Sequence, residues 1–190
     1  MKTDIQPLRI DEFGLRILRE LQADGRISVL DLARRVSLSP TPCARRLAQL
    51  VEAGVVEGFG ARVSPRAVGL AVEVMVAVKL ERHANAIPEE FRREVLAREE
   101  VVACFAMTGD TDYLLHVMVP DIDSLNRFLM EVLLKIEGVR DVRTSLVLEA
   151  VKRQQTVPTG HLRQGFAQPL QSALTAFASP GSPCVPRGRR

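Results

Sequence analysis

Residues 25–54, GRISVLDLARRVSLSPTPCARRLAQLVEAG, constrain this chain more than any other stretch. Two short helical patterns lie there, split by a tight break. Ser28 supplies an N-cap oxygen for the first, and Asp31 stands at the capping-box position. Val29, Leu32, Ala33 and Val36 follow at i, i+3, i+4 and i+7, which predicts a buried stripe and a helix that stops near Val36. Ser39 offers the next N-cap, and Pro40 suits the first helical position, where no N–H is needed. Cys43, Leu47, Leu50 and Val51 share one face of this helix. Turning about 100° per residue sets Thr41, Arg45, Ala48 and Glu52 opposite, with Pro42 and Gln49 to one side. Upstream, Leu15, Ile17, Leu18 and Leu21 predict one more helix, with Gly25 as its left-handed stop. Gly54 ends the third helix, and residues 55–63 read as a short extended wing or connector.

Such an arrangement holds a helix out where it can enter the major groove of DNA. Its outward face carries Arg45 for guanine and Gln49 for adenine. Arg46 lies at the flank, suited to a phosphate. The N–H groups near Ser39 and Thr41 suit another. A three-helix bundle with merely solvated arginines satisfies the same periodicity, so the pattern alone leaves both readings open. Cys43 falls on the inner face, as a small hydrophobe should.

The charge is unevenly spread. Residues 1–66 carry net +3, residues 67–154 net −4 and residues 155–190 net +4. A mildly basic head on an acidic body suits a DNA-facing domain joined to one with another task. Tryptophan is absent and aromatics make up 4%, so the cores must come from Leu, Val, Ile and Ala. Cys43, Cys104 and Cys184 are odd in number and far apart, which supports neither a zinc site nor a disulfide framework. No apolar run approaches the ~18 residues of a membrane span. The first residues show no apolar signal region, so the expected home is the cytoplasm.

Residues 67–154 change character. Val72, Val74, Val76, Val78 and Leu80 alternate with Glu73, Met75, Ala77 and Lys79, the period of a strand. Residues 88–98 read as a helix with Phe91 and Val95 inward. Strands follow over 101–107 and 113–119, joined by a Thr108-Gly109-Asp110-Thr111-Asp112 turn. Leu125, Phe128, Leu129, Val132 and Leu133 define a second helix closed by Gly138, and residues 142–148 read as a fourth strand. The order β-α-β-β-α-β predicts an α+β, ferredoxin-like domain behind a winged helix-turn-helix. Two helices cover one sheet face. Leu114 and Met118 leave the other face apolar as well, which predicts a homodimer through it.

Four segments together resemble the leucine-responsive/asparagine-responsive regulator (Lrp/AsnC) family: LQADGRIS, LARRVSLSPTPCARRLAQLVEAGVV, TGDTDYLLHVMVPD and GVRDVRTSLVLEAVK. The resemblance spans about residues 8–153. It implies a transcription factor whose dimers can assemble into octamers and whose effector is an amino acid. It implies a recognition helix holding Ser39, Pro40, Thr41, Cys43 and Arg46. It also implies an effector site at the turn of Gly109, Asp110, Asp112 and Tyr113, with Ile122, Leu146 and Val147 as further pocket candidates. A turn's carboxylates suit an ammonium and nearby strands an apolar side chain; equally, Gly109 and Asp110 can serve the hairpin alone. Three features depart from the family: the tail beyond Gln154, which has no counterpart there, and two single positions. Gly14 stands where an Asp precedes the first helix, a place where Gly is tolerated as N-cap. Ser145 replaces a Tyr of some members and makes the pocket smaller or more polar.

The expected division is a DNA-binding head over 1–66, a sensing and dimerising domain over 67–154, and a basic tail over 155–190. That tail is rich in Pro, Gly and Ser, a composition that favours disorder. The function expected is a ligand-responsive regulator that is not an enzyme and binds double-stranded DNA and an amino acid, with no metal or cofactor. Two rivals share the fold: a haem-pathway decarboxylase-like enzyme, and an amino-acid sensor without DNA binding. The first would need a dense cluster around His83, His116 or His161; the second has little use for an exposed Arg.

Overall fold

The computed structural model describes residues 10–81, 87–153 and 156–164. They form two compact units. One, the head, holds residues 10–60 with 156–164; the other, the sheet unit, holds residues 61–153.

The head has three helices: α1 (Glu12–Ala23), α2 (Val29–Arg35) and α3 (Pro40–Glu52). Ile17, Leu18, Leu32, Ala33, Val36, Cys43 and Leu50 bury themselves in its core. The expectation for Gly14 needs correcting. Asp11 is the N-cap, and its Oδ1 accepts the Gly14 N–H at 2.8 Å. Gly14 lies inside the helix on its buried face. A Cβ there would stand 2.9 Å from Ile10 Cγ2, so the residue serves close approach rather than capping. Gly25 is not left-handed either. Asp24 ends α1 in an extended conformation, and its Oδ1 takes the Arg26 N–H at 3.0 Å. An Asx turn does the work expected of glycine.

Ser28 caps α2 as expected: its Oγ accepts the Asp31 N–H at 3.1 Å and its hydroxyl donates to Asp31 Oδ2 at 2.7 Å. Leu32, Ala33 and Val36 are buried, but Val29, in the first turn, is 38% exposed. Between α2 and α3 the chain turns through Ser37 at φ +59°. The Leu38 N–H donates to the Ala33 carbonyl and the Ser37 N–H to that of Arg34, a Schellman closure. A serine in this conformation costs about 1–2 kcal/mol that glycine would not. Gly54 at φ +68° closes α3 in the same way. Val51 departs from the expected stripe; one narrow bundle covers Cys43 and Leu50 but leaves Val51 at 43% exposure. Residues 57–64 pair with no strand among the described residues.

In the sheet unit, β1 (Val72–Leu80), β2 (Val101–Ala106), β3 (Tyr113–Val119) and β4 (Val139–Leu146) form one sheet in the order β2-β3-β1-β4. Every neighbouring pair is antiparallel. The helices α4 (Ile87–Leu96) and α5 (Ile122–Arg127) lie on one face. Phe91, Val95, Leu125, Phe128 and Leu133 meet Val74, Val76, Val78, Leu115, Val117 and Val119 there. Two expectations shift. The fourth strand begins at Val139, three residues early, because Gly138 at φ +83° turns the chain directly into the ladder. The second helix is not α-helical throughout. Residues Phe128–Val132 take a wider π turn, and Leu133–Lys135 a tighter 3₁₀ turn. The wide turn delays the inward face, so Leu133 rather than Val132 becomes fully buried.

Candidate nucleic-acid interface and effector residues

On α3 the outward side is clear. Thr41, Ala44, Arg45, Ala48, Gln49 and Glu52 are all exposed. No ion pair or side-chain hydrogen bond engages Arg45 among the described residues, so its guanidinium faces solvent. The start of this helix has a particular chemistry. Ser39 is the N-cap but makes no capping hydrogen bond. Pro40 and Pro42 occupy the first and third positions, and neither has an N–H to give. The Ser39 hydroxyl and the Thr41 N–H are thereby left for an outside acceptor or donor. The Cys43 N–H already donates to the Ser39 carbonyl at 3.2 Å.

Arg46 is placed differently from its sequence reading. Its Nη1 lies 2.5 Å from Asp11 Oδ2, and its Cζ sits 5.5 Å from the Phe13 ring centroid. The side chain therefore braces α3 against α1, with about a third of its surface still open to solvent. Asp11 serves two helices at once. Burial opposes its charge, but the Gly14 N–H and the Arg46 guanidinium outweigh it and hold the carboxyl below its ordinary value. Neither Asp11 nor Phe13 stood out in the sequence as part of this surface. The Asp-x-x-Gly spacing before an apolar run was the available signal for the cap. Cys43 is fully buried, and burial pushes its thiol upward, away from nucleophilic chemistry.

The expected effector residues divide into two groups. Gly109 (φ +104°), Asp110, Asp112 and Tyr113 sit where β1 ends. Gly109 is needed for that φ alone, since a Cβ there would touch nothing within 4 Å. Asp112 is largely committed to the fold: its Oδ2 accepts the Leu80 N–H at 2.8 Å and its own N–H donates to the Val78 carbonyl at 3.0 Å. Tyr113 is buried against Phe91, ring centroids 4.7 Å apart, and its hydroxyl accepts from Arg92 Nε at 3.1 Å. Asp110 is exposed, which makes it the turn's available carboxylate.

Leu146, Val147 and Ile122 lie at the other end of the sheet. Leu146 pairs with Val74, and the Val147 N–H donates to the Glu73 carbonyl. Ile122 follows β3, whose last residue pairs with Val72. Six residues of strand at ~3.3 Å each separate the two groups by about 20 Å. One copy of the chain does not bring them together. Beside Val147 opens a cleft of about 530 Å³, lined also by Arg62, Leu70, Met118 and Arg153. Glu73, also on its lining, meets His116 Nε2 at 2.7 Å and the Arg153 guanidinium. Burial opposes the Glu73 charge, but these two partners keep its carboxyl below the ordinary value. This cluster carried no motif and was not singled out in the sequence. His116 is on β3, His161 is in the segment after the sheet, and His83 lies outside the described residues. No metal-binding cluster of His, Cys, Asp or Glu occurs among the described residues, and no helix there is long and apolar enough to cross a membrane.

Known proteins carry the same two parts. A winged helix-turn-helix DNA-binding family model matches residues 10–57, and the Lrp/AsnC ligand binding domain model matches residues 73–157. The leucine-responsive regulatory protein of Escherichia coli (strain K12) is 41% identical over 144 residues, 76% of this chain and 88% of that protein. A transcriptional regulator from Neisseria meningitidis, solved as a complex with L-Met, superposes with a TM-score of 0.78 at 39% identity, covering 80% of this chain and 98% of that one. A feast or famine regulatory protein from M. tuberculosis, complexed with L-methionine, gives 0.68 at 29% identity over 77% and 97% of the two chains. With an exposed third helix on a three-helix head, a four-stranded sheet domain following it in the chain and these relatives, the chain belongs to the Lrp/AsnC family of helix-turn-helix transcription regulators.

Proposed function

We propose that α3 reads DNA through Arg45 and Gln49, that Ser39, Thr41 and Pro42 seat its N-terminus against the phosphate backbone, and that an amino acid controls the assembly presenting it. The carrying observation is the contrast between adjacent arginines. Arg45 projects unpaired from the outward face, while Arg46 is held by Asp11 and Phe13. Arg45 is thus the guanidinium available for a base, and Arg46 sets the pose of the helix that offers it. A gel-shift series on the upstream region of the protein's own gene tests this. The reading expects salt-sensitive retardation, lost in Arg45→Ala. Retardation that persists unchanged in that variant refutes it.

The protein acts as a symmetric oligomer. The sheet face away from α4 and α5 carries Met75, Ala77 and Leu114, which no described α-helix covers, and Phe105 on that side is 52% exposed. A second copy covering this face presents two α3 helices to two half-sites. Higher assembly, up to octamers, completes the effector site, because the Asp110 turn and the Leu146 end lie too far apart in one chain. The turn of one copy supplies the carboxylate for an α-ammonium; Ile122, Leu146 and Val147 of another supply apolar walls. L-methionine, named with two of the structural relatives, is the first probe, and L-leucine the second. Calorimetry is expected to detect binding of one of them by the wild type and none by Asp110→Ala, with sedimentation shifting between assemblies. Equal binding by the variant contradicts the turn's role. In this reading the protein works in the cytoplasm without catalysis, metal or cofactor.

A further inference from the structure

The segment that follows the sheet returns to the head. The Gln22 carboxamide, near the end of α1, meets both backbone groups of Val157: Nε2 donates to the Val157 carbonyl at 3.3 Å and Oε1 accepts the Val157 N–H. The geometry has a local cause. Pro158 disfavours the helical conformation at Val157 and favours an extended one. In an extended residue the N–H and C=O point to the same side. A primary carboxamide also presents an acceptor and a donor side by side, so the pair matches as two strands would. The Val157 side chain takes no part, being 68% exposed. A turn over Gly160–Gln164 follows, closed by the Leu162 N–H on the Thr159 carbonyl.

We infer that residues 156–164 are a strap on the head: a named segment of this chain docked on α1, which holds that helix from the end opposite Asp11. Gln22 lies eleven residues from Asp11, about 16 Å along the helix. Asp11 and Phe13 grip α3 through Arg46 at one end of α1, and the strap grips the other. The head is therefore built from segments on either side of the sheet unit in sequence, and the pose of α3 depends on one that follows the whole sheet unit. The ligand-binding family model ends at residue 157, so the strap begins where that likeness stops.

The test uses the full-length protein and a double-mutant cycle. Gln22→Ala removes the carboxamide, Val157→Pro removes the N–H, and Pro158→Ala frees the backbone. Each is expected to speed hydrogen exchange of the last α1 amides about fivefold, the worth of roughly one hydrogen bond. The Gln22→Ala/Val157→Pro double variant is expected to go no further than either single change. Additive effects, or α1 exchange unchanged in all three variants, overturn the strap. The DNA arm rests on the reading of α3 above: Gln22→Ala is expected to weaken binding to the upstream duplex severalfold. Exchange that responds while the wild type binds no DNA leaves the strap standing and removes that reading. Tighter DNA binding by Gln22→Ala overturns the bracing role.

Discussion

The head and the sheet unit solve the same problem with different means. The sheet unit buries fourteen apolar side chains in a ladder-backed core, where neighbouring valines share each load. The core cluster of the head holds seven among the described residues, gathered around three short helices. With so few, single polar contacts decide its geometry: Asp11 on Arg46, Ser28 on Asp31, Gln22 on Val157. The difference teaches where function can be tuned. A regulator needs a sensing domain that keeps its shape and a reading helix whose pose answers to a few contacts.

Mutations can break this contrast. Phe91→Ala empties the centre of the larger core and is expected to cost the sheet unit about 3–5 kcal/mol. The chain's one tyrosine, Tyr113, is buried beside Phe91, and no tryptophan masks it, so tyrosine fluorescence reports this unit's unfolding alone. In the head, Leu32→Ala is expected to cost about 2–4 kcal/mol. Helical circular dichroism is expected to fall at lower urea than the tyrosine signal. Simultaneous loss of both signals would mean that the two units unfold as one.

Much of the fold was legible because burial imposes a period. β1 and β3 lie where alternation placed them, since each valine on one face meets a helix. The fourth strand and the last helix slipped because their limits depend on Gly138 and on a π turn, neither of which leaves a periodic trace. On the candidate interface, rotation about the helix axis sufficed to turn Arg45 outward. It could not show that Arg46 is taken by a carboxylate 35 positions away. Nor could spacing reveal that antiparallel pairing sends the Asp110 turn and Leu146 to opposite ends of one sheet.

Smaller effects sharpen the comparison. Arg46→Ala is expected to lower the head's stability by about 1 kcal/mol, the loss of a half-exposed ion pair and a cation–π contact, with the sheet unit unchanged. Ser37→Gly relieves the left-handed serine and is expected to raise head stability by up to about 1 kcal/mol in urea titration. Acid offers the gentlest probe. Asp11 and Glu73 both have carboxyls held below their ordinary values. The stability they contribute is present above the unfolded carboxylate range, near pH 4, and is lost as pH falls through the folded values. Urea midpoints for both units are therefore expected to hold from pH 7 to 5 and to drop below about pH 4. A midpoint that rises on acidification would contradict the charged pairing.

DNA recognition turns on the outward face of α3. Hydroxyl-radical footprinting of the gene's upstream region tests it most directly. Paired recognition helices are expected to protect two patches about ten base pairs apart, or a multiple of that, on one side of the duplex. Arg45→Ala is expected to erase the patches while leaving the fold and the oligomer intact. Protection that survives in that variant, or that spreads evenly along the DNA without spacing, would contradict it.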